Sequence, residues 1–184
     1  MDKSMKKKDN RGMSLVEIIL VIALMVVVAG ITGYGVSMIG QKPVEECARK
    51  VEIALNQNRT NSMGKQGAYL EFHMTDDGRA AFRECWKNVR VEDGSDVHRG
   101  TDVVIGAADV KLRFVYEDAT GGESVVTMGT DYIQVSFKRD SGSLVERVDE
   151  DGKVWFLDRI EIYKGEGHVK IVSIDKLTGK VTLQ

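Results

Sequence analysis

Glu17 is the first residue in the chain whose type and position call for a chemical reason. It stands at the start of an aliphatic run, and no charged residue occurs from Ile18 to Gln41. A carboxylate held at the centre of a bilayer costs on the order of 2.5–3.5 kcal/mol, so it asks for a partner or a role. A cut after Gly12 would place a new α-amino group on Met13, close to Glu17 in the chain. Ammonium and carboxylate would then neutralise each other, within one chain or between neighbours, where the dielectric is low. The alternative is a carboxylate at the rim of the apolar segment, where water relieves the cost.

The remaining chemical groups are scattered. His73, His98 and His168 have no second histidine or cysteine at ligand spacing. His73 reads as a strand residue on a solvent face. Cys85 and His98 could be imagined as a nucleophile and its base, but nothing in their spacing requires it. Asp149-Glu150-Asp151-Gly152 has the composition of a cation loop and equally that of a solvated turn before a strand. Gly121-Gly122 lacks the lysine and spacing of a phosphate loop. No catalytic residue, metal site or cofactor is expected. Cys47 and Cys85 could form a disulfide outside the cytoplasm. They could equally be two free thiols, one on a helix and one in a strand or turn, because sequence does not fix disulfide geometry.

The chain has 184 residues, 29% charged and 42% hydrophobic, with a formal net charge of −2. That allows one modest core after the apolar run. The basic residues Lys3, Lys6, Lys7, Lys8 and Arg11 gather ahead of the run, against Asp2 and Asp9. The remainder is net acidic, which argues against non-specific nucleic-acid binding. The run is long enough for a transmembrane helix, which takes about 20 residues. The basic leader then predicts a single-pass cell-membrane protein, N-terminus cytoplasmic and C-terminal head extracytoplasmic, in contact with membrane lipid. A rival processing site, Val27-Val28-Ala29 before Gly30, would instead release a secreted domain.

The stretch Gly12-Met13-Ser14-Leu15-Val16-Glu17, followed by an uncharged helix, resembles the signal of type IV prepilins and pseudopilins. The resemblance implies cleavage after Gly12 by a prepilin peptidase and methylation of Met13. It also implies pairing of Glu17 with a neighbouring subunit's N-terminus during assembly. The family usually has phenylalanine where Met13 stands and often threonine where Ser14 stands. It further implies other pilin or pseudopilin subunits as partners, an assembly ATPase and platform protein acting indirectly, and a surface filament as the product. Two alternatives stand beside this reading. One is a single-pass protein displaying a β-rich binding or sensing domain. The other is a competence pseudopilin aiding DNA uptake.

Elements must position these groups. Residues 1–12 read as the leader, 13–40 as a transmembrane and assembly helix, 41–66 as an amphipathic helix, and 67–184 as a β-rich head. Pro43 suits a first helical turn. Val44, Cys47, Ala48, Val51 and Leu55 form one apolar stripe. After Gly67 the period changes to two: Leu70, Phe72 and Met74 alternate with Tyr69, Glu71 and His73. Asp76-Asp77-Gly78 marks a turn and Ala80–Cys85 a hairpin partner. The stretch from Glu92 to Gly106 reads as a loop. Further strands are expected at Val110–Tyr116, Ile133–Phe137, Trp155–Ile162, His168–Asp175 and Lys180–Leu183. The predicted fold class is α+β, a long N-terminal helix packed on one antiparallel sheet. That layout is similar to the pilin fold, and the head is loosely similar to minor pseudopilins.

Overall fold

The computed structural model describes residues 15–64, 67–87, 97–129, 131–165 and 167–184, with side chains of the helix described at 15–27 and 41–64. The chain divides into two units, Met1–Gly40 and Gln41–Gln184.

Helical backbone forms α1, Leu15–Gly64. In the first unit its described side chains, from Leu15 to Val27, are all exposed. In the second unit the helix runs through Pro43, which sits inside it rather than opening it. Proline there forgoes one backbone hydrogen bond. Val44, Cys47, Ala48, Val51 and Leu55 are all buried, whereas Arg49 and Lys50 pair outward with Glu45 and Glu46 at 2.8 and 3.0 Å. The helix stops at Gly64, where glycine lowers helix propensity.

Eleven strands follow, and every pairing among the described residues is antiparallel. They are β1 (Ala68–Met74), β2 (Ala80–Lys87), β3 (Val97–Arg99), β4 (Val103–Val104), β5 (Lys111–Asp118), β6 (Glu123–Thr127), β7 (Ile133–Ser136), β8 (Arg147–Val148), β9 (Val154–Lys164), β10 (His168–Ile174) and β11 (Val181–Leu183). The first sheet has the order β3-β2-β1-β7, with β4 also on β2. The second has the order β11-β10-β9-β5-β6, with β8 on β9. The inner faces of both sheets and the buried stripe of residues 41–64 share one apolar cluster. Phe72 of β1 joins the sheets, its ring 5.3 Å from that of Phe114 on β5 in an edge-on contact.

Two turns are pinned to the helix of this unit. Arg59 Nε donates to the Gly142 carbonyl at 3.1 Å. A Cβ at Gly179, whose φ is 64°, would lie 1.9 Å from that same oxygen. The turn therefore needs glycine for both space and backbone conformation.

Three expectations are corrected. A long N-terminal helix with a membrane-spanning first half, packed on a single sheet, is not the architecture. The eleven strands form two sheets rather than one. Among the described residues no helix is long and apolar enough to cross a membrane. The stretch from 41 to 64 carries charges along its outer side. The predicted single-pass membrane location is overturned by the same finding. Lastly, the Glu92–Gly106 loop contains strands β3 and β4, both added to the edge of β2.

Candidate functional site

Gly12 and Met13 lie outside the described residues. Glu17 lies in the first turn of α1, where the helix dipole favours a negative charge. Its exposed neighbours include Leu15 at 75% and Val16 at 70%, with Ile18, Ile19, Leu20 and Ile22 also exposed. A helix apolar on every side is normally buried by something, and a contiguous apolar surface marks an interaction site. None of these residues belongs to the apolar cluster of the head, which residues from 44 to 181 fill.

Cys47 and Cys85 are both free and buried. Cys47 points into the apolar cluster beside Ala80. Cys85 is opposite Tyr69 on β1 and Arg99 on β3, on the other face of β2. The sheet separates the two thiols. Burial pushes Cys47 up to about 12 and also raises Cys85, with the Glu71 charge adding to it. Neither thiol is poised as a nucleophile. His98 stacks on Trp86, with ring centroids 4.2 Å apart, one register position from Cys85 and therefore on the opposite face. The Cys85–His98 pairing does not exist.

Sequence reasoning placed His73 on a solvent face, but it is buried, as are Tyr69 and Glu71 beside it on β1. They form a polar row on the face of the first sheet turned away from the apolar cluster. The β1–β2 register sets Glu71 opposite Arg83, and Arg83 Nε donates to Glu71 Oε2 at 2.7 Å. Gln134 Nε2 donates to the other oxygen at 3.2 Å, and Arg99 stands 3.8 Å away. Burial pushes the Glu71 pKa up, but the hydrogen bond and charge of Arg83 outweigh it, helped by the Cys85 thiol and Arg99, so Glu71 stays below its ordinary value. The Arg83 guanidinium also covers the Tyr132 ring at 4.5 Å. His73 Nε2 is 3.3 Å from Asp102 Oδ2. A carboxylate so fully engaged by donors is a cross-strand clamp, not a free base. The β1–β2 turn carried the missed signal: a hairpin centred on Asp77 sets Glu71 against Arg83.

The acidic turns are used internally. Asp149 Oδ1 accepts from the backbone of Asp151 at 3.1 Å and of Lys153 at 2.8 Å, and Oδ2 accepts from Trp155 Nε1 at 2.8 Å. Asp118 Oδ1 accepts from the Thr120 and Gly122 backbones, both at 2.7 Å, and Lys153 sits 2.6 Å from Oδ2. Lys153, Gly122 and Thr120 hold the Asp118 carboxyl far below the carboxylate range. Asp175 closes the Thr178-Gly179 turn in the same manner. Among the described residues no group of acids, histidines and cysteines is placed to hold a metal ion.

Comparison with known protein families, curated proteins and solved structures finds no match to this chain.

Proposed function

We propose that the chain is a structural subunit of a pilin-like filament, cut after Gly12, methylated on Met13 and packed into the assembly through its N-terminal helical stretch. One observation carries this reading: a helix, exposed and aliphatic on every side from Leu15 to Val27 apart from Glu17, attached to a head that fills its own core. Burying such a stretch against copies of itself returns roughly 25 cal/mol per Å² of apolar surface removed from water. Contacts that repeat head to tail without closing generate a filament.

Glu17 supplies register. Its carboxylate, carried into the apolar contact, pairs with the Met13 ammonium of a neighbouring copy, and a shift of the helix breaks the pair. The processing enzyme is a prepilin peptidase, and the partners are other subunits of the same kind. The test compares filament yield from wild type, Glu17→Val and Glu17→Asp in cells that assemble the native filament. Glu17→Val removes filaments while the processed subunit accumulates at wild-type level. Wild-type yield from Glu17→Val contradicts the reading.

A further inference from the structure

The second unit contains a cavity of about 440 Å³ between α1 and the β2 edge of the first sheet. That size falls within the range of small-ligand pockets, about 300–1,000 Å³. Asn58 lines it and is 1% exposed. Neither Oδ1 nor Nδ2 of Asn58 has a hydrogen-bond partner. Buried polar atoms are rarely left so. The neighbouring polar residues of the helix are satisfied: Ser62 donates to the Ala68 carbonyl at 3.1 Å, and Asn61 donates to Glu84 Oε1 at 2.6 Å. Of these three helix side chains, Asn58 alone lines the cavity, and its amide is the unsatisfied one.

The rest of the wall gives the ligand its character. Leu70, Phe82 and Trp86 supply an apolar surface, and Glu84 adds a negative charge. The far side is held by backbone: Gly100 N–H donates to the Glu84 carbonyl at 2.8 Å. A Cβ at Gly100 would come within 2.8 Å of that same oxygen, so the β3–β4 connection lies close against β2. A primary amide presents a donor and an acceptor side by side, and its complement is another amide. We propose that this cavity binds a neutral carboxamide carried on a flat apolar body, the amide pairing with Asn58 and the body resting on Leu70, Phe82 and Trp86. Glu84 disfavours a carboxylate in the same place.

The test is a nuclear magnetic resonance titration of the full chain. Three probes are compared: benzamide, N-acetylphenylalanine amide and benzoate. Benzamide or the peptide amide shifts the Asn58 side-chain NH₂ and Trp86 indole resonances saturably, at least tenfold more tightly than benzoate. A response to benzamide alone points to a free small amide as the source. A response led by the peptide amide points to a peptide. Asn58→Leu weakens binding of the responding amide at least tenfold. The proposal is overturned if neither amide moves these resonances, or if benzoate binds as well as the amides. The wild-type comparison decides the matter even where the variant does not fold.

Discussion

Glu71 shows how one buried carboxylate can fasten a sheet, through Arg83 on β2 and Gln134 on β7. It is 3% exposed and its partner Arg83 16%. Removing one partner of a buried ion pair leaves the other charge uncompensated. Arg83→Met should therefore destabilise the fold by about 2–3 kcal/mol at neutral pH, somewhat below the cost for a wholly dry pair. The sign of the pH dependence follows from the lowered pKa of Glu71. A depressed carboxylate contributes stability above its unfolded pKa and loses that contribution as pH falls through the folded value. The gap between wild type and Arg83→Met in urea unfolding should narrow on acidification from pH 7 to below 4. A gap independent of pH would mean that Arg83 acts by packing on Tyr132 alone.

At the scale of elements, local pattern was informative and distant pairing was not. The stripe Val44, Cys47, Ala48, Val51 and Leu55 was readable because 3.6-residue periodicity depends only on neighbours in sequence, and each member is buried. The β1–β2 hairpin was readable because Asp76-Asp77-Gly78 fixes its axis, with Gly78 at φ 75°. Periodicity also told which residues share a face of β1, but not what covers that face, so His73 was misplaced. The division into two sheets was hidden for a related reason. β1 chooses β7, and β5 chooses β9, across long stretches of chain, and no local signal records such a choice. Asn58 was passed over because a polar residue on a charged helix looks solvated until its rotation about the axis is known. Phe72, fully buried between Phe82 and Phe114, ties these elements together. Phe72→Ala should cost about 3–5 kcal/mol. Chemical denaturation should show it, and a loss below 1 kcal/mol would mean that the two sheets do not depend on this contact.

For the whole molecule, the two units differ in what their surfaces do. The unit from Gln41 to Gln184 closes its own core and spends its polar groups on turns and cross-strand clamps, among them Asp118, Asp149, Asp175 and Glu71. The helical stretch from Leu15 to Val27 does the reverse and presents aliphatic side chains outward. Such a division of labour suits a subunit whose head is stable alone and whose N-terminal helix is completed by other copies. On the proposed reading, the residues that would serve joining, Gly12, Met13 and Glu17, lie together at one end of the chain. The measurement that tests this most directly is mass spectrometry of the N-terminal peptide from the protein in its native assembly. The account predicts a chain beginning at Met13 with a methylated α-amine; a working protein that retains residues 1–12 would contradict it.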